Sequence, residues 1–137
     1  YDPNSKPLGQ GTFGKVYKGY EVGNETEPVA IKVISVDTIS EYKACEIIFE
    51  REARILKMIQ GNNILNLKKL FRTASGNIYI ITSFCNGGSL EEMLLREKQI
   101  NEQKALDILK QVCQSFIDIE KLALKNEKGE KLTIMHR

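Results

Sequence analysis

Three glycines near the start of the chain, at positions 9, 11 and 14, form the pattern G-x-G-x-x-G. A backbone without side chains at these positions can approach the oxygens of an anion closely and donate main-chain N–H groups to them. This is the chemistry of a phosphate-binding loop. The pattern alone does not identify one, because dinucleotide-binding folds carry it and other glycine turns imitate it. The stretch to be explained is Leu8, Gly9, Gln10, Gly11, Thr12, Phe13, Gly14, Lys15 and Val16.

The residues that follow the glycines separate three interpretations. A dinucleotide site needs a helix at the third glycine, but the residues after Gly14 favour a strand and then a turn at Gly23-Asn24. A P-loop needs Ser or Thr after Lys15, and Val16 has no hydroxyl group for a magnesium ion. The remaining interpretation is a β-hairpin whose glycine turn covers phosphates. The lysine for those phosphates then lies on the next strand, in Val29-Ala30-Ile31-Lys32.

A glutamate lies where the pattern predicts a core-facing side chain. Thr38 and Glu41 have the spacing of a capping box, and a helical pattern continues from there to Gln60. Because a buried carboxylate needs a cation, we expect Glu52 on this helix to pair with Lys32. The alternative is that Glu52 reaches solvent and pairs with a nearby basic residue. The apolar face of the helix contains Ala44, Ile48, Phe49, Ile55, Leu56 and Ile59.

Together these motifs resemble the small lobe of the protein kinase family of the eukaryotic, Ser/Thr-like type. The glycine loop G-x-G-x-x-G-x-V and the strand V-A-I-K are both present letter for letter, and the stretch that begins at Glu52 is similar to the family's helix segment. The resemblance implies that ATP is the cofactor and that the Lys32–Glu52 pair holds the lysine on the α- and β-phosphates. It also puts Leu8, Val16 and Ala30 around the adenine. Without the motif context, Val16 and Ala30 could be ordinary core residues of strands.

A second region of the sequence resembles the kinase hinge. Strands are predicted over 68–73 and 78–84, and the chain then breaks at Asn86-Gly87-Gly88. The resemblance implies that Thr82 limits the back of the adenine pocket, that Ser83 and Cys85 offer backbone groups to the adenine edge, and that Ser89 lies near the ribose. Two alternatives stay open: Cys85 could be an inert small hydrophobe, and Ser89 could be the N-cap of a helix.

The pattern in the last part of the chain predicts a helix over 102–122 that is capped by Asn101. The helix has an apolar face, and no later segment of the sequence is predicted to cover it. His136 and Arg137 match the first two letters of the family's His-Arg-Asp motif. The resemblance therefore implies that the catalytic aspartate and the Mg²⁺ ligands lie outside these 137 residues. On this interpretation, no residue of this chain is a metal ligand.

These observations predict an α+β fold. We expect a five-stranded antiparallel sheet with one long helix as a small lobe over 6–85, a hinge exit at 86–89, and two helices of an incomplete large lobe within 90–137. Residues 1–7 are polar with two prolines, so we expect only a lead-in there. The expected function is ATP binding for a protein kinase that phosphorylates protein hydroxyl groups, inactive as this chain alone. The alternative is a pseudokinase or scaffold lobe.

Composition excludes several other classes. Twenty basic and eighteen acidic residues give a net charge of +2, so neither a nucleic acid nor a membrane surface is indicated as a partner. Cys45, Cys85 and Cys113 are odd in number and far apart, and His136 is the single histidine, so no zinc site is predicted. A reducing compartment, cytoplasmic or nuclear, is expected. Because the chain starts at Tyr1 without a methionine, we expect it to be part of a longer protein.

Overall fold

The computed structural model describes residues 1–41, 53–59, 61–122 and 129. The fold is α+β, as predicted, with strands in the first part and helices in the last. The elements are β1 (Gly9–Gly11), β2 (Gly14–Glu21), β3 (Asn24–Ile34), α1 (Val36–Glu41), helical residues 53–58, β4 (Leu67–Arg72), β5 (Ile78–Ser83), α2 (Leu90–Glu97) and α3 (Glu102–Lys121).

The five strands form one antiparallel sheet in the order β1-β2-β3-β5-β4, which confirms the predicted sheet. β3 lies in the centre and fixes the register of the site residues. Lys32 is opposite Val16 on β2 and Ile80 on β5, and Ala30 is opposite Thr82. Because side chains alternate along a strand, these residues share one face of the sheet. We call this the inner face, and the opposite side, which carries Val29, Ile31 and Val33, the outer face.

The core lies against the inner face. Its buried residues come from β3, β5, α1 and the helical residues 53–58, and partly buried leucines pack around them. Ala53, which was not among the predicted core residues, is only 3% exposed. Leu56 of the predicted apolar face packs against this core and Ile59 is buried, whereas Ala44, Ile48 and Phe49 lie outside the described residues. The core cluster consists of Ile34, Ile39, Ala53, Ile78 and Ile80, with Leu56, Leu67 and Leu70 against it.

The predicted start of the long helix was wrong. α1 begins at Val36, and the Ser35 hydroxyl accepts a hydrogen bond from the Thr38 N–H at 3.2 Å, so Ser35 is the cap in place of Thr38. The Val36 N–H donates to the Asn77 side-chain oxygen at 2.9 Å, a contact across 41 residues that a local pattern cannot reveal. Helical structure ends at residue 58 rather than at Gln60, which lies outside the described residues, as do 42–52.

The chain divides into two compact units. One comprises Tyr1–Met58 and Leu65–Asn86, and the other comprises Ile59–Ile64 and Gly87–Arg137. In the second unit, Asn101 caps α3 as predicted, because its side chain accepts from the Lys104 N–H at 2.8 Å. The Lys104 ammonium in turn donates to Glu97 at 2.8 Å and so joins α2 to α3. This bond, with a second one from Arg96, lowers the pKa of the Glu97 carboxyl.

Candidate functional site

A cleft of about 300 Å³ opens on the inner face of the first unit, and we call it the inner cleft. Five separate parts of the chain contribute to it: the residues around β1 and β2, the strand β3, the helical residues 53–58, Leu65 before β4, and β5 with the residues after it. The cleft brings together seven of the residues that the sequence predicted for an adenine and phosphate site: Leu8, Val16, Ala30, Lys32, Thr82, Ser83 and Cys85.

The sheet explains the apolar walls of the inner cleft. Leu8 is held in place by its N–H, which donates to the Val16 carbonyl at 2.7 Å, and its side chain is 54% exposed at the mouth. Val16 and Ala30 are half-buried on neighbouring strands. Thr82, opposite Ala30, is 8% exposed and closes the back. A slot between such apolar side chains suits a flat, largely apolar ring.

Lys32 contributes a positive charge to the lining of the inner cleft. This half-buried residue lies in register between Val16 and Ile80. An ammonium group at one end of an apolar slot is suited to an anionic group attached to a flat ring. Glu52, the predicted partner of Lys32, lies outside the described residues.

The backbone at the exit from β5 is partly engaged within the protein. The Ser83 N–H donates to the Asn66 carbonyl at 3.0 Å, so Ser83 could bind a ligand through its carbonyl or hydroxyl group but not through this N–H. Cys85, two residues later, is exposed and its thiol is free. Both residues line the inner cleft.

Most of the glycine loop lines a different space. A second cleft of about 320 Å³, the loop cleft, lies beside the β1–β2 turn and extends towards α1. Gly9 and Phe13 are not among the residues that line either cleft. The loop cleft is lined by Tyr1, Gln10, Gly11, Thr12, Gly14, Lys15, Tyr17, Val33, Ser35 and Thr38.

The three loop glycines differ in what surrounds them. A methyl group added at Gly14 would overlap the Val33 carbonyl oxygen and lie 3.3 Å from Ile34, so the packing of β2 against β3 requires glycine there. At Gly9 and Gly11, no described atom lies within 4 Å of the added carbon. The packing of the described residues therefore explains Gly14 but not Gly9 or Gly11.

Ser89 is the N-cap of α2. Its hydroxyl accepts from the Glu92 N–H at 3.1 Å, and the Glu92 carboxylate accepts from the Ser89 N–H at 2.7 Å. This reciprocal pair is the capping box that the sequence predicted, so the N-cap alternative is confirmed. Proximity of Ser89 to a ribose stays a prediction.

Four lining residues of the inner cleft were missing from the predicted site: Leu56, Leu65, Ile80 and Phe84. Three of them had a signal in the sequence. Leu56 belongs to the apolar face of the predicted helix, and Ile80 and Phe84 lie two residues before and after Thr82 in the predicted strand, so strand alternation puts them on the same face. Leu65 lies outside regular strands and helices, and no periodicity indicates its direction.

Comparison with known proteins gives the family. The family described as protein kinase domain matches residues 3–121. This match covers most of the chain and includes the glycine loop, Lys32 and the exit from β5. The chain belongs to the protein kinase family, whose members use ATP and Mg²⁺.

Three relatives show how much of a kinase the chain represents. Serine/threonine-protein kinase unc-51 from Caenorhabditis elegans is 32% identical over 117 residues, which are 83% of this chain and 13% of the relative. Serine/threonine-protein kinase atg1 from Dictyostelium discoideum is 35% identical over 79% of this chain and 16% of its own length. Human serine/threonine-protein kinase ULK3 is 33% identical over 80% of this chain and 22% of its own length. The chain thus spans less than a quarter of each of these relatives.

None of the described helices is long and apolar enough to cross a membrane. In the described part of the chain, no group of three or more His, Cys, Asp or Glu side chains is arranged to hold a metal ion.

Proposed function

We propose that this chain is the ATP-binding portion of a serine/threonine protein kinase, whose complete form transfers the γ-phosphate of ATP to a hydroxyl group of a protein. The observation that carries the proposal is the inner cleft, where apolar walls, one lysine and the exit from β5 converge. The preference for serine and threonine rests on the three relatives, each of which is named a serine/threonine-protein kinase.

The adenine would occupy the apolar part of the inner cleft. Its faces would contact Leu8 and Val16 on one side and Ala30 deeper in the slot, with Thr82 at the back. Its polar edge would face the Ser83 carbonyl and the backbone of Cys85, and Ser89 would lie near the ribose. The apolar walls support this assignment, because they remove water from both faces of the ring while polar backbone groups remain at one end.

The phosphates would lie near Lys32 and beneath the glycine loop. Lys32, oriented by Glu52, would hold the α- and β-phosphates, and the main chain of Gly9, Gln10, Gly11, Thr12, Phe13, Gly14 and Lys15 would cover them. Bound Mg²⁺ neutralises negative charge on the phosphates, and we assign its ligands to residues outside this chain. The open space around Gly9 and Gly11 supports the role of the loop, since a side chain there would separate the backbone from the phosphate oxygens.

The chain alone should bind ATP weakly at best and transfer no phosphate. Catalysis in this family depends on positioning and on metal-assisted stabilisation of charge, and the resemblance assigns the aspartate and metal ligands for both to residues beyond Arg137. We assign 6–85 to the small lobe, 86–89 to the hinge exit and 90–137 to the start of the large lobe. The free thiols of Cys85 and Cys113 support a reducing compartment, cytoplasmic or nuclear.

Filling the adenine slot tests the proposal. In the full-length protein, Ala30→Leu adds bulk inside the inner cleft and should weaken ATP binding about tenfold or more, because binding pockets discriminate strongly against added volume. Ala74→Leu is the matched control, since Ala74 is exposed in the turn between β4 and β5. Affinity is measured by competition between ATP and a fluorescent analogue. Equal ATP affinities for the two variants would show that the nucleotide does not bind in this slot.

A further inference from the structure

The outer face of the sheet carries a group of four aromatic rings that the proposed nucleotide site does not use. Tyr1 packs against Tyr17 with ring centroids 5.0 Å apart and against Tyr79 at 6.1 Å. Phe71 stacks on Tyr79 at 5.2 Å with an angle of 8° between the rings. Tyr17 belongs to β2 and Tyr79 to β5, and β3 lies between these strands. The first residue of the chain therefore links two strands that are not neighbours in the sheet.

The segment before β1 is folded so that Tyr1 reaches this position. The Asp2 carboxylate accepts from the Asn4 N–H at 2.8 Å, and the Asp2 carbonyl accepts from both the Ser5 N–H at 3.1 Å and the Ser5 hydroxyl at 2.7 Å. These bonds form a compact turn of the kind that aspartate stabilises. Residues 1–7 contain no helix or strand, as expected, but they are not merely a lead-in, because Tyr1 packs on the sheet.

The sheet has room for Tyr1 because β2 carries a glycine beneath it. A methyl group added at Gly19 would lie 3.2 Å from the Tyr1 Cβ and would overlap the Ile31 side chain. Gly19 is buried and Ile31 is only 5% exposed on the outer face. Burial and a hydrogen bond with Tyr79 raise the pKa of Tyr1 to about 12. The ring and the hydroxyl group of Tyr1 are therefore both engaged.

Tyr1 adds a side-chain contact to the β1–β2 hairpin, which is otherwise joined to the sheet by the pairing of β2 with β3. β1 is a three-residue edge strand that pairs only with β2, and all three of its residues are exposed. Tyr17 continues the strand that leaves the glycine turn. The loop cleft extends from Tyr1 and Tyr17 to Gly11, Thr12 and Lys15, so Tyr1 and the glycine turn border the same space.

We propose that Tyr1 is a positioning residue that braces the hairpin carrying the glycine loop, by fastening β2 to β5 across the outer face of the sheet. Its contact with Tyr17 limits the movement of β2 relative to β3 and β5. The expected effect on nucleotide affinity rests on the function proposed above. The mechanical role of Tyr1, which is to limit the movement of the hairpin, does not depend on that function. Loss of the ring should loosen the hairpin and leave the centre of the sheet intact.

Hydrogen exchange measured by mass spectrometry on the full-length protein tests this role of Tyr1. Tyr1→Ala should speed amide exchange in residues 9–17 by a factor on the order of five, the size expected for losing one aromatic contact, with no change in 78–83. Tyr1→Phe keeps the ring and should retain most of the protection. The matched control is Tyr20→Ala. Tyr20 lies on β2, the strand that carries Tyr17, and it is 44% exposed, against 42% for Tyr1.

Three results would contradict the proposal that Tyr1 positions the hairpin. They are an unchanged exchange rate over 9–17 in Tyr1→Ala, an equal increase in the exchange rate over 78–83 in that variant, or the same increase over 9–17 in Tyr20→Ala. A fluorescent ATP analogue, titrated into the same variants, provides the second measurement. Its affinity should fall by a similar factor in Tyr1→Ala and recover in Tyr1→Phe. If the wild-type chain and the full-length protein bind no analogue, the proposed function fails, while the exchange data still decide the mechanical role.

Discussion

The three glycines of the loop have different physical roles although they belong to one motif. Gly14 is required by the protein itself, because the Val33 carbonyl occupies the space of any side chain there. Gly9 and Gly11 have open surroundings among the described residues, so packing does not account for them, and the proposed function assigns them to phosphate binding. On that proposal, the motif combines one packing requirement with two binding requirements.

This difference predicts opposite phenotypes for two identical substitutions. Gly14→Ala should lower the free energy of unfolding by about 1–3 kcal/mol, because it forces β2 away from β3. Gly11→Ala should leave that free energy within about 0.5 kcal/mol of wild type and weaken ATP binding about tenfold, because its methyl group holds the backbone off the phosphates. Urea unfolding and ATP competition measure the two effects on full-length protein. If both variants behaved alike in both assays, the distinction would be wrong.

Tyr1 makes stability depend on pH in the alkaline range. Burial raises its pKa from 10.0 to about 12, with a further contribution from the hydrogen bond to Tyr79. The folded state therefore favours the neutral phenol, and this contribution to stability is complete below pH 10 and is lost as the pH rises through 12. Urea midpoints measured between pH 9 and 12 should fall more steeply for wild type than for Tyr1→Phe. Parallel curves would contradict the raised pKa of the Tyr1 hydroxyl and its hydrogen bond to Tyr79.

Among the strands and helices, those with strong local signals were predictable and those shaped by distant contacts were not. The strands β2 and β3 followed from β-forming residues on either side of the turn signal at Gly23-Asn24. The start of α1 was missed because Ser35, rather than Thr38, is the cap, and because Asn77 satisfies the Val36 N–H from 41 residues away. The packing of Tyr1 was missed for a similar reason: a polar segment with two prolines has no periodicity that would indicate a contact.

α2 offers a test of capping that is independent of the nucleotide site. Ser89→Ala removes the acceptor for the Glu92 N–H and should lower the free energy of unfolding of the second unit by about 1 kcal/mol. Ser89→Asn keeps an acceptor and should restore most of that loss. Thermal unfolding followed by circular dichroism measures the difference. Equal destabilisation by Ala and Asn would mean that the capping box contributes nothing to the stability of α2.

For the whole molecule, the inner cleft could be predicted in part, because its polar and charged members belong to short motifs. Lys32, Thr82 and Ser83 were found in this way, and Leu65 was not, since its direction depends on a loop. The apolar residues of α3 remain uncovered within the described structure. Leu109 and Phe116 are each 57% exposed, and no residue of α3 is buried in the described part of the chain. A surface of this kind supports the view that further residues of a large lobe pack on it.

In the proposed function, Lys32 serves the phosphates of ATP rather than the packing of the sheet. The most direct test is transfer of labelled phosphate from ATP to a generic protein substrate by the full-length protein. Lys32→Met should reduce the rate by at least about a hundredfold while the circular dichroism spectrum stays that of wild type, because one aligned charge is lost from the reacting group. The matched control is Lys69→Met, on the outer face of β4, which should keep the wild-type rate. The 137-residue chain alone should transfer no phosphate above the Lys32→Met background, and near-normal transfer by Lys32→Met would contradict the assignment of Lys32 and, with it, that of Glu52.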